Sequence, residues 1–206
     1  MAFRGWPVEA VEFYEGLEDD NSRAYWLEHK AVYDRCVKEP MQALLAELGD
    51  EYGAGRIFRP NRDVRFSADK APYKTNCGAQ LPGGYVSVSA DGLFVGGGLY
   101  MPGPEQLAQF RAAVADDRTG PELEVVVSAL RKGGYEVGAH ETLKTAPRGY
   151  PVDHPRIELL RYKGLVMSRS WPVGAWLGTK RAKDRVIACL EAARPLNAWL
   201  ASALST

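Results

Sequence analysis

The chain has 206 residues, 46% hydrophobic and 25% charged, with a formal net charge of +0. That length suits a single domain spanning 1–206 around a buried core, and the proportions are those of a globular protein. A neutral total excludes wholesale electrostatic attraction to nucleic acid, which is not the expected partner, and no apolar run approaches the ~20 residues of a membrane span.

The N-terminal Met-Ala-Phe-Arg-Gly-Trp-Pro lacks the apolar stretch of a signal peptide. Cys36, Cys77 and Cys189 are odd in number and widely spaced, which suits neither a zinc motif nor a disulfide framework. The expectation is a cytoplasmic protein with three reduced thiols, no metal, no cofactor and no membrane association. Oligomeric state is not legible.

In chain order, residues 7–18 read as a helix opened by Pro7, whose missing N–H costs nothing in a first turn. Asp19-Asp20-Asn21-Ser22 breaks it and offers a cap for a second helix over 23–38. Trp26, Lys30, Tyr33 and Val37 fall on one stripe of that helix. Pro40 is expected to end or kink it. Met41, Leu44, Leu45 and Leu48 continue as a third helix, with Gly49 as its stop.

From residue 56 the pattern turns strand-like at Ile57-Phe58-Arg59 and Val64-Arg65-Phe66. Pro82-Gly83-Gly84 marks a turn, 85–89 alternates as a half-buried strand, and Asp91-Gly92 signals a hairpin into a return strand over 93–101. Gly96-Gly97-Gly98 within that strand suggests a bulge or a close approach of another backbone. Helices follow over 104–116 and 121–132, then strand and loop over 134–150, a short helix over 156–162, and a strand over 164–171. Thr179 caps a last helix to about 194, with a further helical segment over 195–204. This order lacks regular strand–helix alternation. It predicts an α+β fold, a central antiparallel sheet flanked by N-terminal and C-terminal helices.

The densest chemistry lies in 59–76, where Arg59, Arg62, Arg65, Lys70 and Lys74 surround only Asp63 and Asp69, with Phe66 and Tyr73 interleaved. Arginine presents a planar fork suited to phosphate or carboxylate, and lysine a compact charge. Arg62, Arg65, Lys70 and Lys74 are candidate contacts for a small anionic ligand, with Phe66 or Tyr73 against its flat part. Asp63 and Asp69 are candidates to orient the arginines, or to act as acid–base groups if buried. The same residues also suit a purely structural ion-pair network that pins the loop over 67–76 to the sheet. A third reading is a non-enzymatic module whose basic patches meet acidic protein or nucleic acid. Ser67 and Thr75 are hydroxyls with no base identified for them.

A second basic cluster comprises Lys144, Arg148, Tyr150, His154, Arg156, Arg161 and Lys163. There Arg148 and His154 are ligand-binding candidates, while His154 also suits a cap on the short helix that follows. A third, Lys180, Arg181, Lys183 and Arg185, opens the last helix, where cations oppose the helix dipole. His29 and His140 make no metal-ligand spacing. No phosphate-loop, dinucleotide or nucleophile-elbow motif is present.

Arg62, Asp63, Arg65, Phe66, Asp69, Lys70, Pro72, Tyr73, Lys74 and Asn76 match the pattern Arg-Asp-x-Arg-Phe-x-x-Asp-Lys-x-Pro-Tyr-Lys-x-Asn. This resembles the signature of domain-of-unknown-function family 2461, widely distributed in bacteria. Phe13, the Leu17 region, Asn21, Trp26, Tyr33 and Pro40 are similar too, as are His154-Pro155 and Leu159-Leu160. The resemblance covers nearly the whole chain. It implies a relationship and a motif, and no transferable activity or catalytic residues.

Overall fold

The computed structural model describes residues 2–65 and 68–205. The expected architecture is present. In chain order the elements are α1 (Val8–Asp19), α2 (Arg23–Val32), a π-helical turn (Tyr33–Lys38), α3 (Glu39–Tyr52), β1 (Arg56–Ile57), β2 (Asn76–Leu81), β3 (Gly84–Ser89) and β4 (Gly92–Leu99). They continue with α4 (Pro104–Ala115), α5 (Thr119–Lys132), β5 (Glu136–Gly138), α6 (Ile157–Arg161), β6 (Leu165–Trp171) and α7 (Arg181–Ala203). The strands form a six-stranded antiparallel sheet in the order β1-β2-β3-β4-β6-β5, so the fold is α+β. The chain divides into two compact units, one of Met1–Val95 with Ser170–Ala188 and one of Gly96–Arg169 with Cys189–Thr206.

In the first unit, α1 buries Ala10, Val11, Phe13, Tyr14 and Leu17. Ser22 caps α2 as expected, its Oγ accepting the Tyr25 N–H at 3.1 Å. Trp26, Tyr33 and Val37 of the expected stripe are buried, and Lys30 is left at the surface, paired with Asp34. Pro40 does not end the helix. The turn before it widens, with the Glu39 N–H donating to the Asp34 carbonyl five residues back. That π turn accommodates the missing proline donor, so the helical run continues into α3. Gly49 is likewise inside α3 and not its stop. The helix ends at Gly53, whose φ of +79° favours glycine.

β2 pairs with β1 through Ile57–Ala79 and with β3 through Cys77–Val88 and Ala79–Val86. Period-two alternation puts Cys77, Ala79, Leu81, Val86, Val88, Leu93 and Val95 into the core, where α1 and α3 pack on the strands. Asn76, Gly78, Gln80, Tyr85 and Phe94 take the opposite face by the same alternation. The expected strand at 64–66 does not form at Val64 and Arg65, and Phe66 lies outside the described residues.

In the second unit, Phe110, Val114, Leu123, Val127, Leu160, Met167 and Trp199 build the core. Gly98 explains part of the glycine run in β4. Its φ is +121°, and a Cβ there would lie 2.3 Å from the Leu165 carbonyl oxygen, a close backbone approach. Pro195 does not divide the last helix. α7 runs through it, held by buried Ala193, Leu196 and Trp199 on both sides.

Candidate functional site

The signature segment is folded back on itself. The Arg62 N–H donates to the Pro72 carbonyl and the Lys74 N–H to the Pro60 carbonyl, both at 2.8 Å, around an antiparallel bridge between Asn61 and Tyr73. The closed end is seated by the N-terminal helices. Asn21 Oδ1 accepts the Tyr73 N–H at 3.0 Å, and its Nδ2 donates to the Tyr73 carbonyl at 3.2 Å. The Tyr73 ring is buried and stacks on Trp26, with centroids 4.4 Å apart and planes 10° apart. Trp26 in turn meets Tyr33 at 4.8 Å and Phe13 at 5.8 Å. The N-terminal residues that carry the family likeness thus form the socket for the motif's tyrosine.

Within the loop, most charges pair with one another. Arg65 grips Asp63 with two parallel bonds, Nε to Oδ1 at 2.9 Å and Nη2 to Oδ2 at 2.7 Å. Arg62 pairs with Asp69, which also accepts the Ala71 N–H at 2.9 Å. Those arginine bonds hold both carboxyls below the ordinary aspartate range. Lys70 Nζ donates to the Val64 carbonyl at 3.0 Å. Asp63, Arg65, Asp69 and Lys70 are exposed, so these pairs order the loop more than they stabilise the fold. Phe66 and Ser67 lie outside the described residues.

Lys74 is different. One residue beyond Tyr73, its side chain turns to Phe58, with Nζ 5.3 Å from the centre of that ring. Arg56 approaches the same ring at 5.8 Å. Burial, and after it the charge of Arg59, push the Lys74 ammonium below the usual lysine range. Among the described residues, no carboxylate lies within ion-pair distance of Lys38, Arg56, Arg59 or Lys74.

Beside Lys74 runs a row of aromatic rings on the outer face of the sheet. Phe58 sits opposite Gly78, bonded by its N–H to the Gly78 carbonyl at 2.9 Å. Tyr85 crosses over Gly78. A Cβ on that glycine would meet the Tyr85 hydroxyl at 2.3 Å. Asn76 Nδ2 donates to this hydroxyl at 3.2 Å, leaving the phenol's own proton available to an acceptor. Phe58 and Tyr85 are 6.2 Å apart, Tyr85 and Phe94 6.0 Å, and Phe94 is 37% exposed. A groove of about 630 Å³ between α3 and β1 reaches Arg56, lined also by Lys38, Gln42, Leu45 and Ile57.

Behind this face, Cys77 sits on the core side of β2 beside Tyr33. Burial raises its thiol to about 11 despite the nearby charges of Lys38 and Lys74, so it is no nucleophile at neutral pH.

The second cluster belongs to the second unit. His154 Nδ1 accepts the Arg156 N–H at 3.0 Å at the start of α6, the arrangement of a cap. Arg156 is buried and donates to the carbonyls of Val114 at 2.7 Å, Ala115 at 2.9 Å and Asp116 at 3.3 Å, closing the end of α4. Arg161 donates to the Leu143 carbonyl and Lys163 pairs with Glu141. Arg148 is exposed. In the third cluster, Lys183 pairs with Glu47 at 2.6 Å and Arg185 lies 3.8 Å over the Trp176 ring. No group of three metal-ligating side chains occurs among the described residues.

Sequence reasoning singled out Lys74 but missed Phe58 against it, Arg56 on the same ring, and Tyr85, Asn76 and Phe94 along the row. The signal was available in the alternation of 76, 78 and 80, had 76–81 been read as a strand.

Fold and face together define an α+β protein with a basic, aromatic outer sheet surface in its first unit. A family model for conserved hypothetical proteins, DUF2461, matches residues 9–199, and the chain belongs to that family. No curated protein and no solved structure matches it.

Proposed function

We propose that this protein binds a small anionic ligand on the outer face of the first unit's sheet, with Lys74 and Arg59 supplying the charge and Arg56 the rim. One observation carries this reading: a half-buried ammonium beside an aromatic ring, influenced by a second cation and lacking a carboxylate partner among the described residues. Like charges held together cost free energy that an anion between them removes. Arg62, Asp63, Arg65, Asp69 and Lys70 shape the loop, Tyr73 anchors it, and Lys74 is the residue left to meet a ligand. Arg148 and His154 are assigned no role. Cys36, Cys77 and Cys189 form no disulfide, which supports a reducing compartment, and the cytoplasm is the one this reading takes.

The test is calorimetric titration with inorganic pyrophosphate. Wild-type protein should bind it, and Lys74→Met should not, at a melting temperature no lower than that of the wild type. Equal binding by the two proteins overturns the reading.

A further inference from the structure

The geometry points to a nucleoside phosphate as the ligand class: a flat heteroaromatic ring laid on Phe58 and Tyr85, with its phosphate at Lys74 and Arg59. This inference rests on the anion site proposed above and adds the ring to it.

Phe58, Tyr85 and Phe94 alternate with half-buried Ile57, with buried Val86 and with the buried pair Leu93 and Val95, so they face away from the core that their neighbours fill. Hydrophobic burial on the core side does not require them. They are adjacent across the sheet at 6.2 and 6.0 Å, and each retains solvent exposure. Cross-strand aromatic pairs can support a sheet by themselves. That use does not call for cations around them. Here the Lys74 ammonium and the Arg56 guanidinium both lie within a ring's breadth of Phe58. Tyr85, accepting from Asn76, has a proton to give to a ring nitrogen, a ring carbonyl or a sugar oxygen. Rings for stacking, cations for phosphate and a polar donor between them are the elements by which proteins hold nucleotides and unpaired bases. Glycine at 78 keeps the strand beneath Tyr85 low enough for its ring to lie flat across the sheet.

The chemistry is shared by a free mononucleotide and by a base and phosphate of a single strand. The experiment compares adenosine monophosphate, glycerol phosphate, adenosine and a short single-stranded oligonucleotide by calorimetry, all at the same two salt concentrations. Adenosine monophosphate should bind roughly tenfold or more tighter than glycerol phosphate, the gain expected of one stacked base. Phe58→Leu and Tyr85→Leu keep apolar bulk and remove the stacking surface. Each should bring adenosine monophosphate down to the level of glycerol phosphate, and melting curves establish which of the two variants keeps its fold. A still tighter, steeply salt-dependent oligonucleotide identifies a strand as the source, and a weaker one identifies the free nucleotide. Equal binding of glycerol phosphate and adenosine monophosphate, or undiminished binding by both leucine variants, overturns the nucleotide inference and leaves the anion site standing. If no phosphate compound binds the wild-type protein, both fall.

Discussion

Asn21 and Tyr73, 52 positions apart, are joined as two strand residues would be: one carboxamide satisfies both the N–H and the C=O of the tyrosine. The side chain substitutes for a missing strand partner, and it fixes the point at which the signature loop returns to the sheet. Asn21→Ala leaves a partly buried donor and acceptor unpaired. The expected loss is about 2 kcal/mol of unfolding free energy, measured by urea denaturation. Trp26 fluorescence should change with it, because the stacked Tyr73 ring loses its hold.

Arg65→Met behaves differently. Arg65 is exposed and its carboxylate partner is only two residues away, so the melting temperature should not move beyond error. The visible consequence is at Asp63. Its carboxyl, held below the ordinary ~3.9 by Arg65, should return toward that value in a carbon-detected NMR titration. The sign follows from linkage. A depressed folded value contributes stability above the unfolded pKa, and that contribution is lost as pH falls through the folded one. The variant should lack that small acid-limb contribution, whereas a sharp drop in stability at neutral pH would show that the pair holds the fold.

Lys74 carries the opposite sign. Its folded pKa lies below that of an unfolded lysine, ~10.4, so between the two values the unfolded chain binds more protons. Stability should therefore rise with pH across that window, and Lys74→Met should abolish the rise. Chemical denaturation at a series of alkaline pH values measures it.

The helices over 8–19 and 104–115 announced themselves by their apolar faces, the one ending at Lys132 by the Gly133-Gly134 stop, and the hairpin at Asp91-Gly92 by its turn chemistry. β2 did not, because Asn-Cys-Gly-Ala-Gln-Leu carries no β-branched residue, and its strand character comes from pairing with β1 and β3. That omission concealed the outer face, since without a strand there was no alternation to separate Asn76 and Gly78 from Cys77 and Ala79. Pro40 and Pro195 misled for a different reason. Helix breaking is a local rule, and a π turn in one case and buried flanks in the other overrode it.

Two glycines separate fold from face. Gly98→Ala places a Cβ 2.3 Å from the Leu165 carbonyl at a φ of +121°, where neither backbone can yield cheaply. The expected cost is about 3 kcal/mol or loss of folded protein, read by thermal and urea denaturation. At Gly78 the obstructing atom is the Tyr85 hydroxyl, the tip of a side chain that can swing away. Gly78→Ala should cost less than Gly98→Ala and should weaken binding of adenosine monophosphate by displacing the ring.

The most direct measurement is the Lys74 ammonium itself, followed by NMR titration with selectively labelled lysine, with and without saturating inorganic pyrophosphate. The free protein should show a lysine titrating below the ordinary range, absent from Lys74→Met, and pyrophosphate should move it upward. An ordinary Lys74 value that pyrophosphate leaves unchanged would contradict the assignment of Lys74 as the residue that receives the anion.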